Sequence, residues 1–207
     1  MTTLDPTKYT TKQLLIYLQE TGKQKFGPQF YFRKDDIPTI LLLLYYFTNN
    51  EVKAKENNID LKKGLMITGP VGCGKTTLLR LMQKIAVPEK KFFFFTCREI
   101  GFEFIQDGYQ VIHLYSKGVP NQRTRSNMAF DDLGTEQALK YFGNETNVMA
   151  EILLSRYDLY IQNGFTTHIT TNLSATEIED AYGNRVRSRL KKMCNLIAFD
   201  KDTADKR

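Results

Sequence analysis

Gly69-Pro70-Val71-Gly72-Cys73-Gly74-Lys75-Thr76 puts three glycines, a lysine and a hydroxyl side chain within eight positions. Backbone N–H groups can surround phosphate oxygens only where side chains stay clear, which Gly69, Gly72 and Gly74 allow. Lys75 adds a point charge for the outer phosphates, and the Thr76 hydroxyl offers a hard oxygen to Mg²⁺. Pro70, Val71, Cys73 and Thr77 complete the candidate phosphate-contact set, by backbone groups or, at Thr77, a hydroxyl. The apolar Leu65-Met66-Ile67-Thr68 before the motif and the helical pattern from Lys75 to Ile85 after it supply the strand-to-helix setting that a phosphate loop needs. The helix also contributes its positive dipole end.

Asp131 and Asp132 follow about 55 residues after the lysine, at the tip of the apolar Met128-Ala129-Phe130. In a parallel sheet the carboxyl ends of the strands face the ligand crevice. Asp131 is therefore placed to hold Mg²⁺, through water or Thr76, and Asp132 to orient or deprotonate an attacking water. An exposed acidic turn would look the same locally, because Asp-Asp-Leu-Gly is ordinary turn chemistry. Those residues also fit the D-x-x-G pattern of GTPases, yet no Asn-Lys-x-Asp follows to read guanine, so adenine is favoured. ATP with Mg²⁺ is the expected ligand.

Thr170-Thr171-Asn172 closes a strand-like segment that begins at Thr166, so the Asn172 amide could reach a γ-phosphate or the attacking water. A strand-end asparagine serving only a turn fits equally well. Further on, Arg185 and Arg189 stand four residues apart on one helical face, with Val186 and Leu190 on the apolar one. Such an arginine could insert beside the γ-phosphate of a neighbouring subunit. On spacing alone, a solvated or DNA-facing basic helix that takes in Lys191 and Lys192 is the better reading.

From Gly64 onwards the pattern is of strands alternating with helices, which predicts a parallel sheet covered on both faces. Phe92-Phe93-Phe94-Phe95 reads as a buried strand, Val148 to Ile161 as a helix, Ser174-Ala175-Thr176-Glu177 as a capping box, and Leu196 to Phe199 as a last strand. Residues 1–60 differ: Leu14, Leu15 and Leu18 repeat at helical spacing behind Thr10 and Thr11, and a second helix is expected from Asp36, with Pro38 in its first turn, to Phe47. The expected organisation is a helical N-terminal extension over 1–60, a possible partner-binding region, and an NTPase core over 61–207.

At 207 residues, 42% hydrophobic and 25% charged, the chain has the composition of an ordinary globular protein. Its longest apolar run, Ile40 to Phe47, is far too short to cross a bilayer, and no membrane partner is expected. Met1-Thr2-Thr3-Leu4-Asp5 lacks the basic start and apolar stretch of a secretory signal, so a cytoplasmic address follows by default. Cys73, Cys97 and Cys194 have neither disulfide-framework nor zinc-ligand spacing. A net charge of +6 permits phosphate-backbone contacts, for which Arg123 and Arg125 in the 117–125 segment are electrostatic candidates beside Lys191 and Lys192.

Gly69 to Thr76, Phe130-Asp131-Asp132-Leu133-Gly134-Thr135-Glu136, Thr170-Thr171-Asn172-Leu173 and Arg185-Val186-Arg187-Ser188-Arg189-Leu190, in that order and spacing, resemble the AAA+ ATPases of the DnaC-type helicase loaders and IstB-type transposition helpers. The resemblance covers about residues 60 to 207. It implies an α/β P-loop NTPase with an AAA+ core, Walker A at Gly69 to Thr76, Walker B at Asp131 and Asp132, sensor 1 at Asn172 and an arginine finger at Arg189. Lys75, Asp132, Asn172 and Arg189 are then the catalytic set. Asp205-Lys206-Arg207 occupies the place of sensor 2 without its serine, with Arg207 as the nucleotide contact. Asp132 stands where many AAA+ proteins carry Glu, and its shorter reach implies slow turnover.

The function implied is an ATP-controlled assembly factor. It would bind DNA, single-stranded by preference, and a replicative helicase or transposase, and would cycle between an ATP-bound homo-oligomer and a dissociated ADP form. The small core inclines the reading towards a mobile element. Two other classes stay open: a small P-loop kinase or phosphotransferase, and a nucleotide-switched binding module with little turnover.

Overall fold

The computed structural model describes residues 5–117, 127–136, 139–141, 144–200, 203, 205 and 206. Its strands are β1 (Gly64–Thr68), β2 (Phe92–Thr96), β3 (Asn127–Leu133), a short antiparallel pair β4 (Leu139–Tyr141) and β5 (Asn144–Thr146), then β6 (Thr167–Thr171) and β7 (Cys194–Ala198). Five of them form one parallel sheet in the order β2-β3-β6-β1-β7. Parallel neighbours need crossovers, and the helices that supply them cover both faces, as the alternating pattern predicts.

The N-terminal helices form where their caps indicate. In α1 (Thr11–Phe26) the Thr10 hydroxyl accepts from the Gln13 N–H while the Gln13 side chain accepts from the Thr10 N–H. α2 (Ile37–Phe47) has Pro38 in its first turn, and α3 (Glu51–Glu56), which follows it, is capped by Asn50. Leu14 and Leu18 of α1 and Leu43, Leu44 and Phe47 of α2 share one buried cluster with Leu65 and Ile67 of β1 and Leu79 of α4 (Lys75–Ile85). The buried side chains thus run across the change in sequence texture near residue 60. Each large apolar side chain sealed in this way stabilises the fold by about 1.5–3 kcal/mol.

The opposite face is covered by α5 (Cys97–Asp107), α6 (Tyr109–Lys117), α7 (Val148–Asn163) and α8 (Ala175–Met193), around Phe104, Phe130, Met149, Ile152, Ile169, Val186 and Leu190. The capping box expected at Ser174 and Glu177 opens α8, which bends at Gly183 (φ 84°, ψ 157°). The four-phenylalanine strand is not buried throughout, as expected, but lies at the sheet edge as β2, with Phe93 49% exposed. With only β3 as a neighbour, β2 has too little cover to bury both of its faces.

Cys73, Cys97 and Cys194 are buried free thiols. Among the described residues no helix is long and apolar enough to cross a membrane.

Candidate functional site

β1 runs directly into the glycine-rich loop, and Gly74, the N-cap of α4, sits at φ 100° in the left-handed region that an L side chain rarely adopts. Gly72 (φ 79°) also approaches the C-terminal tail so closely that a Cβ there would lie 2.1 Å from an Asp205 carboxylate oxygen. Lys75 is buried, and its Nζ donates to the carbonyls of Gly69 and Pro70, both at 2.8 Å. Gly69 and Pro70 therefore hold the lysine rather than line the cavity beside the loop. Val71, Gly72, Cys73, Gly74, Lys75, Thr76 and Thr77 do line it.

The two acids lie near the carboxyl end of β3, and a register shift between Phe130 and Leu133 separates their roles. Asp131 is 2% exposed, and its Oδ1 accepts from the Thr76 hydroxyl at 2.9 Å and the Thr170 hydroxyl at 2.5 Å. Burial raises its carboxyl pKa, opposed first by the Thr170 hydrogen bond and reinforced by the nearby Asp132 charge. Asp132 has φ 56°, unusual for a residue with a side chain and costing on the order of 1–3 kcal/mol. A bulge of this kind re-aims a side chain. Asp132 is exposed and lines the same cavity as Lys75 and Thr76.

Its backbone N–H donates to Thr170 Oγ1 at 2.8 Å, so one hydroxyl on β6 ties both acids together. No sequence signal distinguished Thr170 from an ordinary β-former. At the end of β6 the Thr171 hydroxyl donates to the Leu133 carbonyl at 2.7 Å, and exposed Asn172 lines the cavity opposite the loop.

This cavity, about 500 Å³, has an apolar wall that the sequence did not reveal. Phe26 at the end of α1 and Phe30 and Phe32 in the following loop contribute rings, with centroids 5.7 Å apart for Phe26 and Phe30 and 5.4 Å for the edge-to-face pair Phe30 and Phe32. At the rim, Lys206 Nζ donates to the Cys73 carbonyl and pairs with the buried Asp36, each at 2.6 Å. Its backbone N–H donates to the Gly72 carbonyl at 3.1 Å. The tail thus reaches the glycine-rich loop through Asp205 and Lys206, while Arg207, expected as the nucleotide contact, lies outside the described residues.

Arg189 is not at the cavity: its guanidinium packs 4.0 Å from the ring centroid of Tyr157 on α7. Arg187 pairs with Glu179, and Arg185 is exposed. Lys191 and Lys192 are exposed near the end of α8, whereas Arg123 and Arg125 lie outside the described residues.

The same architecture occurs in solved structures. The chain superposes on the crystal structure of the DnaC helicase loader with a TM-score of 0.54 and 21% identity, covering 82% of this chain and 92% of that one. It superposes on the crystal structure of DnaI with a TM-score of 0.53 and 19% identity, covering 82% and 87%. No protein-family model matches the chain, and no curated protein matches its sequence. At such identities the likeness is one of fold. The parallel sheet covered by helices on both faces, implied by the four motifs, is the fold found and is shared with these structures.

Proposed function

We propose that the chain binds ATP with Mg²⁺, hydrolyses it slowly, and acts as an AAA+ assembly factor that places a replicative helicase on single-stranded DNA. One observation carries this reading: Lys75, Thr76, Asp132 and Asn172 line a single cavity, with Asp131 bonded to Thr76 at its base.

The residues fit the ligands. Loop glycines in left-handed conformations leave amide groups free of side-chain obstruction, and Lys75 holds its charge within the loop. The wall of Phe26, Phe30 and Phe32 suits the flat apolar face of an adenine ring. Thr76 Oγ1 and Asp131 Oδ1, 2.9 Å apart, are hard oxygens suited to Mg²⁺, which when bound neutralises charge on the outer phosphates. Asp132 orients or deprotonates the attacking water, and the Asn172 amide donates to the water or the γ-phosphate.

A helicase is favoured over a transposase as partner because a helicase loader is among the structures that share the fold. Residues 1–60 would present the partner-binding surface, since α1 leaves Ile16 and Tyr17 exposed on its outer face. Lys191 and Lys192 are candidate phosphate contacts for DNA. Arg189 would act in trans, leaving Tyr157 to enter a neighbouring copy's cavity.

Light-scattering mass with a slowly hydrolysed ATP analogue, with and without single-stranded DNA, tests the proposal. The expected result is an assembly that needs the analogue, grows stronger with DNA and is lost in Arg189→Ala. A monomer under every condition would overturn the assembly role, and an assembly unaffected by Arg189→Ala would remove the finger.

A further inference from the structure

Beyond Asp132 the chain turns through Gly134 (φ 104°), where a Cβ would lie 2.7 Å from the Leu173 side chain. The turn is tied at both ends. Thr135 donates to the Asp132 carbonyl through its N–H at 3.1 Å and its hydroxyl at 2.7 Å. Glu136 Oε2 accepts from the Gly134 N–H at 3.0 Å, while Oε1 accepts from the Tyr182 hydroxyl on α8. One carboxylate therefore holds the acid-bearing turn with one oxygen and a distant helix with the other. Tyr182 is only 9% exposed, so this contact is packed in place rather than a surface encounter.

Tyr182 immediately precedes the bend in α8. At Gly183 a Cβ would meet nothing within 4 Å, and the positive φ of 84° sets the angle between the two halves of the helix. The first half also hangs on α7, because the Asn147 side chain donates to the Ala181 carbonyl at 2.7 Å. The second half carries Arg185 and Arg189 and is rooted in the core by Val186 and Leu190. Gly183 is the point at which the α8 backbone leaves helical geometry, and Glu136 is fixed to the residue just before it.

We infer that Glu136 is a positioning residue: through Tyr182 it couples the stance of the Asp132 turn to the bend at Gly183, and so to the arginines beyond it. The inference rests on the cavity binding nucleotide. A ligand that displaces Asp132 then pulls on α8 through a single carboxylate, and α8 in turn restrains the acid. Glu136 touches no reacting atom in this scheme.

Backbone amide hydrogen exchange, with and without the slowly hydrolysed ATP analogue and Mg²⁺, reads both ends of the link. In the wild type the analogue is expected to slow exchange at residues 69–78 and to change it at 175–186. In Tyr182→Phe, which keeps the ring and removes the hydroxyl, and in Glu136→Gln, which keeps the shape and removes the charge, the response at 69–78 should persist and that at 175–186 should be lost. A helix response that survives in both variants would overturn the link, as would its absence from a wild type whose loop is protected. No protection at 69–78 in the wild type would overturn the nucleotide reading itself, and the link with it.

Discussion

At the amino ends of the strands, His168 of β6 is completely buried, its Nδ1 accepting from the Leu65 N–H at 3.2 Å within the rings of Tyr46, Phe47 and Phe92. Four residues further along the chain, Asn172 stands exposed at the cavity. The same contrast runs across the sheet. Arg156 lies beneath the amino ends at 1% exposure, donating to Thr167 Oγ1 at 3.1 Å and the Thr166 carbonyl at 3.0 Å, and burial brings its pKa down to about 10. Asp132, at the carboxyl ends, has an exposed side chain on a left-handed backbone. His168 Nδ1 and the Arg156 guanidinium, at the amino end, are met from within and serve the architecture. Asp132, at the carboxyl end, instead carries backbone strain beside the cavity, the arrangement expected of a ligand site rather than of a scaffold.

The contrast can be broken most strongly at His168. Burial is the main cause that brings its pKa down to about 3 from an ordinary 6.5, helped by Lys90 and Arg156, so the folded protein holds it neutral. An unfolded chain takes up the proton first as pH falls, so the stability is complete above about 6.5 and is lost progressively towards about 3. The loss is on the order of 4 kcal/mol. Urea unfolding across this range should show a steep acid limb. His168→Phe should flatten that limb while costing about 1–3 kcal/mol at neutral pH, because the Leu65 N–H loses its acceptor. An unchanged acid limb would mean that the amino end is not sealed as described.

At the other end, Phe30→Ala should weaken ATP binding about tenfold while leaving inorganic triphosphate binding unchanged, if the ring supports the base. Equal losses for both ligands, measured calorimetrically, would remove Phe30 from the base wall. The smallest effect is expected at Asp131. Its folded pKa is raised chiefly by burial, so its contribution to stability falls as pH rises through that value. Asp131→Asn should therefore raise the thermal midpoint of the ligand-free protein near neutral pH and abolish any effect of Mg²⁺ on nucleotide affinity. A lower midpoint would show that the Thr76 and Thr170 hydrogen bonds outweigh the cost of burying the charge.

Much of the scaffold was legible in local pattern. The helix from Lys75 to Ile85, the caps at Thr10 and Ser174, and the strand before the glycine-rich loop all follow from residues adjacent in sequence. The cavity-facing positions of Lys75, Thr76, Asp132 and Asn172 follow from each motif's place at the end of a strand. What stayed hidden depends on distant segments meeting. Thr170 acquires its role only because β6 lies beside β3, and the Phe26 to Phe32 wall only because α1 returns over the loop. Lys206 does so only because the tail crosses Gly72, and Glu136 only because α8 delivers Tyr182. β2 departs from the expected buried strand because an apolar run does not say whether its strand will lie at the centre or the edge of the sheet.

Isothermal titration with a slowly hydrolysed ATP analogue and Mg²⁺, for the wild type and Lys75→Ala, tests the central claim that this cavity takes a nucleoside triphosphate. Saturable binding near one analogue per chain, weakened about 100-fold or more in the variant through loss of a charge-assisted phosphate contact, is the predicted result. No binding to the folded wild type, or equal binding to both proteins, would contradict it.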